Sequence, residues 1–360
     1  MLSFADAPFL VLWEVTRACR LACLHCRASA GPHRNPLELT TAEARSLLEA
    51  IRRFGDPLLV FTGGDPLERS DLFDLLEHSV GLGLRTTVTP SATPLLTAEA
   101  IRRFQQCGIA RMAISLDDPD AASHDGFRGV AGSFERTLFA LDFARDIGLP
   151  TQVNTTVTPG NLSRLVEIAR SVERAKAQLW SVFFLVSTGR AQAQQDLSAT
   201  EYEQVFEYLY QLSKTAPFDI KTTAAPHYRR YVAQQRKASG GSSQPRNGGE
   251  SIRRQAGIND GKGLLFISHT GEVFPSGFLP VSAGNIRNRA LADLYRDSPL
   301  FRRLRAPHIL GGKCGVCEYR SLCGGSRARA WAETRDYLAE DSRCIFQPSD
   351  TQVGHLAATL

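Results

Sequence analysis

An α/β fold built around a parallel sheet is the class this sequence predicts, and three observations predict it. Short β-branched or aromatic runs alternate with helical stretches six times between Val11 and Val186. Polar or glycine-rich segments follow nearly every one of these strands, on what would be a single rim. Beyond Gly263 the alternation stops, and a hairpin followed by a group of cysteines takes its place.

The elements follow in order. Val11-Leu12-Trp13-Glu14-Val15-Thr16 is β-branched and aromatic and predicts the first strand. Thr40 is a candidate cap for a helix whose apolar spacing runs to Phe54. Strands are predicted at 58–61, 84–89, 110–116, 151–157 and 179–186, with helices at 71–80, 98–107, 134–147 and 162–175 between them. Parallel strands joined through helices require right-handed crossovers. A helix to about Lys214 and a short strand, 218–221, come next. Ala238 to Asn247 is Gly/Ser-rich and reads as a linker or mobile loop. Leu264–Ser268, a His269-Thr270-Gly271 turn and Glu272–Phe274 predict a β-hairpin, and a helix is expected from Ala290 to Tyr295.

Bulk properties narrow the class. At 360 residues, with 43% hydrophobic and 22% charged residues, the chain suits a large barrel with an appendage. No apolar run is long enough to span a membrane, and the N-terminus lacks the pattern of a secretory signal, so a cytoplasmic protein is expected. The net charge of +5 is not gathered into a basic stripe with aromatics, which argues against nucleic acid as a partner. Seven of the eight cysteines fall into two groups, and in a reducing compartment that grouping points to metal. Cys107, late in a helix, reads as a core residue.

Sites in parallel α/β sheets lie at the C-terminal ends of the strands. Cys19-x3-Cys23-x2-Cys26 follows the first strand, Gly63-Gly64-Asp65-Pro66 the second, Thr89-Pro90-Ser91 the third, and Ser115 closes the fourth. Asn154 lies in the fifth strand, and Ser187-Thr188-Gly189-Arg190 follows the sixth. A composite small-molecule site on one rim accounts for this. Four thiolates normally complete an iron–sulfur cluster, so three leave one iron open to a ligand.

The cysteine motif and the Gly-Gly-Asp-Pro segment resemble the radical S-adenosylmethionine (SAM) superfamily. That resemblance implies a partial (β/α)6 TIM barrel over residues 1–225, a linker over 226–260 and a small C-terminal α+β domain over 261–360. It implies a [4Fe–4S] cluster on Cys19, Cys23 and Cys26 whose open iron is chelated by SAM. Reductive cleavage of SAM then gives a 5′-deoxyadenosyl radical that abstracts hydrogen from a substrate carbon. The resemblance places His25 against the adenine and gives Gly63, Gly64 and Asp65 to the SAM amino group. Ser115 and Asn154 become candidates for the ribose and the methionine carboxylate, Arg128 for a carboxylate of SAM or substrate or equally for an anchor of its own loop, and the backbone at Leu185 and Val186 for the adenine border.

The second group, Cys314, Cys317, Cys323 and Cys344, suits either tetrahedral zinc or a closed [4Fe–4S] cluster. It resembles the SPASM/twitch extension, which implies one auxiliary [4Fe–4S] cluster. The fuller pattern has a further cysteine where Arg327 stands, and Ser276 occupies the usual hairpin cysteine position. The flanking sequences resemble the haem and haem d1 group, which modifies tetrapyrrole side chains, and also the maturases of ribosomal peptides such as the mycofactocin type. The expected partners are therefore a tetrapyrrole or peptide substrate and an external electron donor such as flavodoxin or ferredoxin. A zinc-binding interaction module is the alternative from another class. Lys221, His227, Arg229, Arg230 and Arg236 form a basic group near the barrel mouth in sequence order, either to meet substrate propionates or, as is more common for such groups, simply solvated.

Overall fold

A computed structural model describes residues 4–192, 196–240 and 257–348. The barrel strands are β1 (Leu10–Glu14), β2 (Leu58–Thr62), β3 (Arg85–Val88), β4 (Arg111–Ser115), β5 (Thr151–Val157), β6 (Leu179–Phe184) and β7 (Asp219–Thr223). All neighbours in this series pair in parallel, in chain order. Helices α1 (Thr41–Phe54), α2 (Leu72–Gly81), α3 (Ala98–Gln106), α4 (Ala121–Arg128), α5 (Ser133–Asp146), α6 (Leu165–Arg174) and α7 (Ala199–Leu212) make the crossovers. The predicted cap on α1 is present: the Thr40 side chain accepts from the Glu43 amide, and the Glu43 carboxylate accepts from the Thr40 amide.

The strand period fixes which side chains reach the inside. Val11 and Trp13 of β1 are fully buried, and Trp13 packs edge-on against Phe61 at 5.2 Å, in the core between sheet and helices. Each such side chain contributes about 1.5–3 kcal/mol by leaving water. Leu10, Leu12 and Glu14 alternate with them and point to the other face, inside the barrel. Cys107 joins the outer core, as its helix position implied.

The sequence foresaw the hairpin but not its place. Strand β8 (Leu264–Ile267) pairs in parallel with β1, and β9 (Glu272–Phe274) and β10 (Gly284–Asn285) continue antiparallel beyond it. The C-terminal segment therefore extends the barrel sheet on the β1 side, giving the order β10-β9-β8-β1-β2-β3-β4-β5-β6-β7. Two further differences from expectation concern helices. His124 and Arg128 lie on α4, a short helix capped by the Asp120 carboxylate. The expected linker opens with helix α8 (Tyr228–Ala238), and the Gly/Ser stretch from residue 241 onward lies outside the described residues. Among the described residues no helix is long and apolar enough to cross a membrane.

Candidate active site

The loop leaving β1 folds back on itself, and neighbouring strand ends clamp it. The Cys19 amide donates to Gly31 O at 2.7 Å, and the Gly31 amide returns to Arg17 O at 3.3 Å. The Ala22 and Leu24 amides donate to Arg128 O and Phe127 O at the end of α4, each at 3.1 Å. Cys19, Cys23 and Cys26 share one small cluster with Leu21, Ala28 and Ala30. Two of the sulfurs already accept amide hydrogen bonds, Cys19 from Leu21 and Cys26 from Ala30, each at 3.4 Å. Burial pushes the Cys19 thiol up to about 11, so a metal must displace its proton on binding.

Gly63-Gly64-Asp65 forms the floor of this loop. The Gly64 amide donates to Thr16 O at 2.8 Å and the Asp65 amide to Ala18 O at 2.7 Å. A Cβ on Gly64 would stand 2.4 Å from Ala18 O, so only glycine lets β2 approach the loop this closely. The Asp65 side chain, fully buried, turns away to the β3 loop. It accepts from Thr93 Oγ1 at 2.6 Å and from the Ser91 and Leu67 amides at 3.2 Å. Burial raises this carboxyl to about 6 against those hydrogen bonds. Ser91 Oγ donates to Gly64 O at 2.8 Å and lies 3.7 Å from Cys19 Sγ.

Arg128 lies beside the cysteine loop with its fork engaged. Its Nε donates to Asp117 Oδ2 at 2.7 Å, Nη2 also pairs with Asp117, and Nη1 lies 3.8 Å from Cys23 Sγ. Burial opposes the guanidinium charge, but Asp117 and Cys23 hold it well above the usual arginine range. His25 stacks on Phe127 with ring centroids 4.1 Å apart and planes 4° from parallel. Its Nδ1 is buried without a partner, and burial together with the Arg128 charge drives the ring to about 3, so the imidazole is neutral. Ser115 and Asn154 sit opposite each other in the β4–β5 register, and both are half-buried on the inner face. Asn154 Oδ1 accepts from Gln152 Nε2 at 2.7 Å, whereas the Ser115 hydroxyl has no hydrogen-bond partner among the described residues. Leu185 O accepts from Arg329, and the Val186 side chain packs with Leu279, Leu300, Leu304 and Ala328 of the C-terminal segment.

Two parts of this region escaped sequence reasoning. Arg190 holds the cysteine loop from the β6 side, with Nε donating to Cys23 O at 2.9 Å and Nη1 to Ala30 O at 2.7 Å. Its neighbour Gly189 has φ +61, and a Cβ there would lie 2.3 Å from Cys26 O. The Gly189-Arg190 pair after a strand was the available signal. The other part is Glu14, fully buried at the end of β1. It pairs with Arg17 at 2.9 Å and Arg27 at 3.0 Å and lies 2.8 Å from His269 Nδ1 of the hairpin turn. Burial would raise this carboxyl, but the His269 hydrogen bond and the Arg27 and Arg17 charges outweigh it and bring it to about 2.

The second cysteine group also comes together. Cys314, Cys317, Cys323 and Cys344 line one pocket with His227, Arg230, Lys313 and Tyr319. Among the described residues no three Cys, His, Asp or Glu side chains stand close enough to hold a single metal ion. The Cys317 and Cys323 sulfurs accept from the Tyr319 and Gly325 amides at 3.4 and 3.3 Å. Burial raises their thiols to about 11 and about 12. His227 is wholly buried, stacks on Tyr202 and makes no hydrogen bond through either ring nitrogen. This corrects the expected basic group at the barrel mouth. Arg229 is spent on Leu322 O and Ile258 O, and Arg230 on Glu203 and Gln234. Both face the C-terminal segment because they open α8, which packs there.

Comparison with known proteins decides the family. The chain is 43% identical over 341 residues to the AdoMet-dependent heme synthase of Nitratidesulfovibrio vulgaris, covering 94% of this chain and 92% of that one. The radical SAM superfamily profile matches residues 13–172. This chain belongs to the radical SAM superfamily. It is thus an enzyme, and the family's chemistry uses a [4Fe–4S] cluster and SAM. Among other superfamily relatives, the AdoMet-dependent heme synthase of Methanosarcina barkeri is 39% identical, with 97% and 99% of the two chains covered. The pre-heme d1 synthase of Dinoroseobacter shibae is 28% identical, with 95% and 87% covered. The radical SAM fold is matched by SuiB of Streptococcus suis bound to S-adenosylmethionine. That match has a TM-score of 0.74 at 17% identity and covers 95% of this chain and 78% of that one. The partial barrel expected from the resemblance is the fold found.

Proposed function

We propose that this radical SAM enzyme is an AdoMet-dependent heme synthase, taking hydrogen from propionate side chains of an iron tetrapyrrole. The observation that carries the reading is its likeness, over nearly the whole of both chains, to heme synthases of a bacterium and an archaeon. In this reading Cys19, Cys23 and Cys26 hold the SAM-cleaving cluster. His25, Gly63, Gly64, Asp65, Ser115, Arg128, Asn154 and Val186 border SAM. The free Ser115 hydroxyl and the neutral His25 ring suit direct contact, whereas Asp65 and Arg128 act by holding the loop. Residues 1–225 form the barrel, 226–260 the connection and 261–360 a domain for one auxiliary [4Fe–4S] cluster on Cys314, Cys317, Cys323 and Cys344.

Converting a propionate to a vinyl group removes one hydrogen atom, releases CO2 and leaves one electron over. A centre closed by four thiolates can take that electron without losing a ligand. A cavity walled by thiols suits a cluster better than one zinc ion, which needs its ligands gathered at a point. A cytoplasmic flavodoxin or ferredoxin would supply the electron that cleaves SAM.

The test is anaerobic reconstitution followed by incubation with SAM, a reductant and an iron porphyrin that carries propionates where haem has vinyl groups. Haem and 5′-deoxyadenosine should form together, from protein carrying about eight irons per chain. Release of 5′-deoxyadenosine with the porphyrin mass unchanged would sink the substrate assignment.

A further inference from the structure

Two arginines approach sulfurs of the second cysteine group, and their surroundings differ from those of the arginine at the first. Arg327 Nη2 lies 3.8 Å from Cys314 Sγ, and Arg230 Nη2 lies 3.9 Å from Cys344 Sγ. Arg327 is 2% exposed. Three carbonyls fix its orientation: Nε donates to Gly325 O at 3.2 Å, and Nη1 donates to Tyr337 O at 3.1 Å and Ala339 O at 2.6 Å. Among the described residues no carboxylate forms an ion pair with Arg327. The buried Asp260 and Asp341 carboxylates feel this charge without pairing with it directly. Arg230 is partly neutralised by Glu203. At the first site Arg128 also touches a sulfur, but Asp117 cancels its charge directly.

We infer that Arg327 and Arg230 are positioning residues that set the reduction potential of the auxiliary centre, each holding an N–H donor and a fixed charge against one cysteine sulfur. The inference rests on the reading of that cavity as a [4Fe–4S] site and adds the residues that tune it. Reduction makes a cluster more negative, so N–H···S bonds and buried positive charge favour the reduced state and raise the potential. Arg327 occupies a chain position where the fuller cysteine pattern would place a ligand, and here it serves a neighbouring ligand instead.

The test is a redox titration followed by electron paramagnetic resonance on the reconstituted full chain, comparing wild type with Arg327→Gln, Arg230→Gln and Arg230→Lys. The auxiliary potential should fall in both Gln variants and recover partly in Arg230→Lys. The potential of the SAM-cleaving cluster should stay unchanged. Wild-type protein holding about four irons instead of about eight would remove the auxiliary site, and the inference with it. Full iron with unmoved potentials in both Gln variants would overturn the inference alone. Loss of the auxiliary iron in Arg230→Gln and Arg230→Lys alike would also overturn it, by making Arg230 a structural residue.

Discussion

His269 Nδ1 lies 2.8 Å from Glu14 Oε1, tying the C-terminal hairpin to the strand that delivers the cysteine loop. The Asn35 side-chain nitrogen lies 3.1 Å from His269 Nε2. Asn35 therefore donates, Nδ1 carries the ring proton, and Glu14 accepts it. The same carboxylate holds Arg17 and Arg27, and the Arg27 guanidinium sits 4.5 Å over the Phe266 ring of β8.

The carboxyl of Glu14 is lowered from 4.5 to about 2, so its stabilisation is complete above pH 4.5 and is lost as pH falls toward 2. The shift corresponds to about 3 kcal/mol. Denaturant unfolding of wild type and Glu14→Gln at several pH values should show the gap between them closing below pH 4.5. A gap that is constant with pH would mean Glu14 does not act through its charge.

Gly64→Ala brings a methyl group to within 2.4 Å of Ala18 O and 2.7 Å of Arg17 O, both backbone atoms that cannot swing aside. The strain of such overpacking is about 1–3 kcal/mol, and the cheapest relief is displacement of the cysteine loop. Iron should fall from about eight per chain toward four, with the auxiliary spectrum retained. Full iron in this variant would mean that the loop tolerates a wider floor than its hydrogen bonds imply.

Arg329 is the buried joint between the barrel and the C-terminal segment. It pairs with Asp341 at 3.3 Å and lies 3.7 Å from Asp196, and it donates to Leu185 O and Ala224 O at 3.1 Å. Replacing it with Met takes the paired arginine from the buried Asp341, while Asp196 keeps Arg343 at 3.0 Å; the loss at Asp341 costs about 3–5 kcal/mol. A denaturation midpoint unchanged from wild type would show that the Asp341 carboxylate is solvated or neutralised elsewhere.

What the sequence could reveal was whatever its spacing encodes locally. The three-cysteine loop, the strand–helix alternation and the Thr40 cap each lie within a short window, and each is found where expected. The return of β8 alongside β1, and with it the contact between Glu14 and His269, joins residues 255 positions apart, for which no local pattern exists. The Arg229-Arg230 pair misled for a related reason. Its charge was visible, but the direction it faces depends on where α8 packs, and that sends both side chains toward the second cysteine cavity. A substrate-binding defect in Arg229→Gln is therefore not expected; loss of order around Leu322 and Ile258 is.

The two cysteine groups should respond oppositely to removal of one thiol. Cys23 belongs to a set of three, so Cys23→Ala leaves two thiolates, too few to hold a cluster with an iron open to SAM. All release of 5′-deoxyadenosine should stop. Cys317 belongs to a set of four around a separate cavity, so Cys317→Ala should strip or weaken the proposed auxiliary centre while the first site still cleaves SAM. Measured under strong reductant without substrate, 5′-deoxyadenosine should therefore persist in Cys317→Ala and vanish in Cys23→Ala. With a tetrapyrrole substrate, Cys317→Ala should form little product per SAM cleaved, because the left-over electron has nowhere to go. Equal loss of SAM cleavage in both variants would mean that the two sites do not load independently, and the division of labour between an open and a closed centre would fall.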